Sequence, residues 1–219
     1  MKIVILLYEG FTALDAVGPY EVLSRLPDAD LAFVAARAGV ITSDTGFLKV
    51  TATQSIADVG VADLVLVPGG PGDVVVRQHA PTLDWLRQVH AQTTWTTSVC
   101  TGALILGAAG LLRGLRATTH WASLDALREY GAEPVKARAV ESGKIVTAAG
   151  VSAGIDMALR LVQRIVGDDY ARGIQLGIEY DPDPPFDAGS PEKLPPEMVE
   201  MVRAVGAANR AARANAAAV

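Results

Sequence analysis

Short apolar runs that end at glycine recur along the chain, and between them the apolar positions fall three and four apart. Ile3 to Tyr8 is continuous and stops at Glu9-Gly10, and Leu64 to Val67 stops at Pro68-Gly69-Gly70-Pro71-Gly72. Runs of this kind are how strands buried on both faces read. Leu31 to Ala36 predicts a second strand after the first, and the β-branched stretch Thr93 to Val99 another. Leu14 to Leu26, with Leu14, Val17, Val22, Leu23 and Leu26 apolar, predicts a helix facing the sheet, and Pro19 falls in its first turns, where a missing amide costs little. Helices are also predicted over Thr82 to Ala91, Gly102 to Ala109 and Ala122 to Tyr130. A fifth, Ser152 to Val166, is apolar on most sides and expected to be buried. Ile41 to Ala57 predicts short strands or a hairpin around Thr45-Gly46, and Val135 to Ala148 a hairpin turning at Ser142-Gly143.

Strands alternating with helices predict an α/β, three-layer sandwich with a mostly parallel central sheet. A single domain over residues 1–219 is expected, because no linker divides the chain. Residues 179–195, rich in proline and aspartate, read as an extended arm, with a helix from about residue 196. In such sheets ligands sit beyond the carboxyl ends of the strands. Tyr8-Glu9-Gly10, Pro68-Gly69-Gly70, Cys100 and Thr119-His120 all fall there, so four features converge on one edge.

Composition narrows the field. Half of the 219 residues are hydrophobic, a fifth are charged, and the net charge of −5 includes no basic block, which argues against nucleic acid and membrane surfaces as partners. A single cysteine forms no internal disulfide, and the N-terminal apolar run is too short for a signal peptide, so a soluble, cytoplasmic protein is expected. Scattered histidines give no metal-ligand spacing, and no phosphate-binding glycine motif occurs; no metal and no cofactor are expected.

Candidate chemistry centres on the one thiol. Ser98-Val99-Cys100-Thr101-Gly102 has the small neighbours that a nucleophile elbow needs, at the change from a β-branched strand to helix formers. The helix start behind it is expected to lower the thiol pKa and favour the thiolate. The competing view is a small buried cysteine in a core strand. Amides of Thr101 and of Gly69-Gly70 could converge as oxyanion donors, or Pro68 to Gly72 could be only a tight turn. Asp15 lies among apolar residues just past the first strand; it is either an early-turn helix charge or a buried carboxyl with a raised pKa that trades protons with the thiol. Glu9 competes for that role, though Gly10 suggests turn duty. His120 is the one histidine at a strand end, whereas His79 and His90 look like solvated surface.

Leu14-Asp15-Ala16-Val17-Gly18-Pro19-Tyr20-Glu21, Leu66-Val67-Pro68-Gly69-Gly70, Ser98-Val99-Cys100-Thr101-Gly102-Ala103, Ala117-Thr118-Thr119-His120-Trp121 and Tyr180 to Pro191 together resemble the DJ-1/PfpI superfamily, from Met1 to about Lys193, and within it the isocyanide hydratase branch. Threonine after the cysteine and aspartate near the first strand distinguish that branch from relatives with histidine and glutamate there. The resemblance implies a flavodoxin-like fold akin to class I glutamine amidotransferases, a small-molecule substrate and a homodimer. It also implies Cys100 as nucleophile, Asp15 as acid/base, Thr101 as a source of amide and hydroxyl, Gly70 as an oxyanion amide and His120 as a wall residue. The implied chemistry is addition of the thiolate to an isocyanide carbon, a thioimidate, and release of an N-substituted formamide. The alternatives are another thiol enzyme of the superfamily, acting on α-oxoaldehydes or amides, or a ligand-sensing domain. A DNA-binding helix-turn-helix module would need roughly another hundred basic, helical residues.

Overall fold

The computed structural model describes residues 1–217. In chain order the first half comprises β1 (Lys2–Leu6), α1 (Ala13–Leu23), β2 (Asp30–Ala35), β3 (Gly39–Thr42), β4 (Lys49–Ala52), β5 (Gln54–Ser55), β6 (Leu64–Val67), α2 (Asp73–Val76), α3 (Ala80–Gln92) and β7 (Trp95–Val99). The second half comprises α4 (Gly102–Ala108), β8 (Arg116–Ala117), a 3-10 segment (Trp121–Tyr130), β9 (Glu133–Pro134), β10 (Ala139–Ser142), β11 (Ile145–Ala148), α5 (Ala153–Val166), α6 (Asp168–Gly177) and α7 (Pro196–Ala217). Seven strands form one sheet in the order β10-β11-β7-β6-β1-β2-β5. Only the edge strand β10 runs against its neighbour.

The apolar runs become the sheet's centre. Ile3 to Leu6 and Leu64 to Val67 are buried along their lengths because helices cover both faces: α1 packs on α5, and α3 on α4. The mostly parallel α/β architecture is therefore the one the pattern predicts. Strand β1 has β2 on one side and β6 on the other, so the chain steps outward in both directions from it and opens a crevice at the strand ends.

Three local expectations need correction, and one helix was not expected. Helix α5 is one-sided: Met157, Ala158, Leu161 and Val162 face the core while Arg160, Gln163 and Arg164 are exposed. Trp121–Tyr130 coils as a 3-10 segment starting one residue earlier than the predicted helix. Helix α6 is the unexpected one: Gly173 lies within it, Gly177 ends it, and Ile174 is its one buried residue. His90 is half-buried, its Nδ1 2.8 Å from the Thr96 hydroxyl, whereas His79 is exposed as expected.

Candidate active site

Cys100 closes β7 with φ +55, a left-handed conformation that a non-glycine residue adopts at a cost of about 1 kcal/mol or more. Three features hold it there. Its amide donates to the carbonyls of Ala148 and Ala149 at 3.1 and 3.0 Å, and its carbonyl accepts from the Thr119 hydroxyl at 2.7 Å. Two glycines let the backbone close around the turn: a Cβ on Gly69 would lie 2.4 Å from the Thr101 nitrogen, and one on Gly102 2.1 Å from the Val67 carbonyl oxygen. This is the elbow geometry, with the sulfur projecting between the ends of β6 and β7.

Asp15 sits in the first turn of α1 and is completely buried. Its Oδ2 accepts from the Gly69 amide at 2.9 Å, while Oδ1 has no hydrogen-bond donor among the described residues. Burial pushes this carboxyl up to about 8, against the pull of the Gly69 amide and the Cys100 side chain. The Cys100 thiol is also pushed well above its ordinary value, by burial first and by the Asp15 charge second. The Thr101 amide acts the other way but is outweighed. The expected thiolate is thus not the resting form: neither group gives up its proton readily, because a low-dielectric site disfavours charge on both.

The Gly70 amide is not an open donor in this structure. It donates to Thr101 Oγ1 at 3.0 Å, so the threonine hydroxyl already takes the hydrogen bond that an oxyanion would need. Thr101 is buried, and it joins the β6 turn to the start of α4. Glu9 does not approach the site: it is exposed, and its carboxylate accepts from the Thr42 amide at 3.2 Å. His120 lies on the wall of the cavity that holds Cys100. Its Nδ1 accepts from the Ala122 amide at 3.3 Å, and burial, then the charges of Arg210 and Arg203, lower its pKa and keep it neutral.

That cavity has a volume of about 160 Å3. Sequence reasoning missed several of its walls. Gly150 makes room for the His120 ring, since a Cβ there would lie 2.3 Å from its Cδ2. Asp44 comes from the loop between β3 and β4, and Gly206 and Arg210 from α7. A roomier cavity of about 570 Å3 opens beyond Gly72, is lined mainly by the segments that follow β1 and β2, with residues of α2 and α7, and contains no thiol. Among the described residues no cluster of three or more His, Cys, Asp or Glu could hold a metal, and no helix is long and apolar enough to cross a membrane.

Comparison with known proteins finds several relatives. The isonitrile hydratase of Pseudomonas putida is 47% identical over 203 residues, spanning 93% of this chain and 89% of that protein. An HTH-type transcriptional regulator of Pseudomonas aeruginosa is 32% identical over 76% of this chain, which spans 51% of the regulator. The crystal structure of a ThiJ/PfpI family protein from Pseudomonas syringae superposes with a TM-score of 0.89 at 38% identity, over 97% of this chain and 90% of that one. With residues 1–164 also matching the family model, the chain belongs to the DJ-1/PfpI family.

Proposed function

We propose that this chain is an isocyanide hydratase that works through Cys100, with Asp15 carrying the protons. The overall activity has its support in the extent of identity to the Pseudomonas putida enzyme. The roles of the residues have theirs in one observation: a wholly buried carboxyl, raised to about 8, beside a thiol displayed on an elbow.

The pair explains each step. A carboxyl that titrates near neutral pH both holds and releases a proton in the working range, as a general acid/base must. Asp15 in its carboxylate form takes the thiol proton as sulfur attacks the terminal carbon of R–NC. It then returns that proton to the same carbon, and the product is the thioimidate R–N=CH–S–Cys100. Water adds to this carbon, with a proton passing to nitrogen through Asp15. Collapse of the adduct breaks the carbon–sulfur bond, leaves R–NH–CHO and restores the thiol. Thr101 contributes its amide and hydroxyl to charge that develops at the substrate, and Gly70 its amide once the Thr101 hydroxyl turns away. His120 shapes the wall as a neutral ring.

The doubly protonated pair must lose one proton before sulfur can attack. Hydration of an isocyanide, followed as formamide, is therefore expected to show kcat/KM rising about tenfold per pH unit from pH 6 and levelling near 8, with an apparent value belonging to the pair. A flat profile across that range removes Asp15 from the proton path. Turnover of methylglyoxal without turnover of an isocyanide moves the site to the α-oxoaldehyde class.

A homodimer is part of this proposal. Met198, Met201, Val202 and Val205 are all exposed at i, i+3, i+4 and i+7 on α7, an apolar stripe left about half uncovered by the described residues. Sedimentation equilibrium is expected to give twice the 22.9 kDa chain mass, and a single-chain mass at micromolar concentration contradicts it.

A further inference from the structure

One face of α7 presents Arg203, Gly206, Arg210 and Arg213 at i, i+3, i+7 and i+10, of which Gly206 and Arg210 line the Cys100 cavity while Arg203 and Arg213 border the cavities on either side. Its two outer arginines are engaged by the protein. Arg203 lies 5.0 Å over the Trp121 ring and pairs with Glu200 at 3.5 Å. Arg213 donates to the Asp44 carbonyl at 3.2 Å. The middle one, Arg210, is half-buried on the wall of the Cys100 cavity and makes no ion pair or hydrogen bond among the described residues. Its Nη1 lies 3.7 Å from where a Cβ on Gly206 would stand, so the guanidinium leans along the glycine and borders the opening.

The geometry points to Arg210 as the specificity residue of the site, selecting isocyanides that carry a carboxylate. This rests on the hydratase activity proposed above. The buried Asp73 carboxyl attracts Arg210 only through space, with no ion pair or hydrogen bond between them, so the half-buried guanidinium keeps its donors free, and its planar fork matches a carboxylate in two parallel hydrogen bonds. Elsewhere on this wall His120 is neutral, Asn209 offers only an uncharged amide, and Asp44 accepts from the Thr12 hydroxyl at 2.9 Å and the Thr45 amide at 2.8 Å rather than from Arg210. The cavity of about 160 Å3 favours a short substituent, with the carboxylate one or two carbons from the isocyanide nitrogen.

The test compares isocyanoacetate with its methyl ester, each followed as formamide. Hydrogen bonds to charged groups are worth enough for the wild type to show a KM for the acid roughly tenfold or more below that for the ester. Arg210→Gln is expected to bring the two KM values within about threefold of each other, and Arg210→Lys to restore part of the gap. Gly206→Asp reaches the same end by another route, since a carboxylate at 206 pairs with Arg210 and occupies the anion's place. Equal KM values in the wild type, or a ratio that survives in Arg210→Gln and Gly206→Asp, overturns the assignment and leaves the hydratase activity standing. Absence of formamide from both probes overturns the hydratase activity and this inference together.

Discussion

Replacing Cys100 by alanine is expected to lower formamide production by at least about 10^4-fold while the protein folds as before. No other thiol exists in the chain, and no serine or threonine hydroxyl replaces it at the turn: Ser98 Oγ is buried away on β7 and Thr101 Oγ1 is bound to Gly70. The loss is of the size seen when a nucleophile that acts with its base as a unit is removed. The fold tolerates the change because what holds residue 100 in its left-handed conformation is backbone: two carbonyls on its amide, the Thr119 hydroxyl on its carbonyl, and the glycines at 69 and 102. Formamide absorbance and a thermal melt on the same sample check both halves. Wild-type turnover by Cys100→Ala with an unchanged melt would mean that the thiol is a packing residue and the chemistry lies elsewhere.

The elbow was legible because its determinants are local. A β-branched strand, two small residues and a helix start lie within ten positions, and Val67 to Gly70 shows the same kind of strand end in a run. The edge on which the site lies was legible for a related reason: parallel strands place their carboxyl ends together, so motifs distant in sequence had to meet. What could not be read depends on contacts between distant segments. Gly150 gives no local sign that it clears space for His120, and nothing in residues 196–217 announces that the inner face of α7 forms a wall over Cys100. The thiol shows the difference most clearly. Its local pattern places an amide at the sulfur, which lowers the pKa, while the burial that raises it further is a property of the whole core. The Gly70 amide, expected as an oxyanion donor, is likewise settled by a contact between distant segments, its bond to a side chain 31 positions on.

Asp15→Asn is expected to abolish most of the activity and, in the same molecule, to stabilise the protein at alkaline pH. The first effect follows from the missing proton carrier, and general acid/base groups contribute about 10^2 to 10^4-fold. The second follows from linkage. Asp15 holds its proton to about pH 8 in the folded chain, whereas an unfolded aspartate releases it near pH 4. Between those values the unfolded state binds fewer protons, so its contribution to stability is greatest below pH 4 and falls as pH rises, by about 1.4 kcal/mol per unit where the difference is complete. Asp73, raised to about 6 by burial, contributes in the same sense over a narrower window, and comparison of wild type with variant cancels it. Asparagine keeps the shape and can still accept from the Gly69 amide, but it carries no charge to bury. Melting temperatures are therefore expected to diverge with pH: nearest each other at about pH 4, with the gap in favour of Asp15→Asn widening by roughly 10 °C between pH 5 and pH 8, at about 2–4 °C for each kcal/mol in a chain of this size. A variant that melts below wild type throughout, with no convergence at low pH, would show that the carboxylate is a structural anchor for the Gly69 amide. Divergence together with lost turnover ties the raised pKa to catalysis, because the charge the core disfavours is then the one the reaction uses.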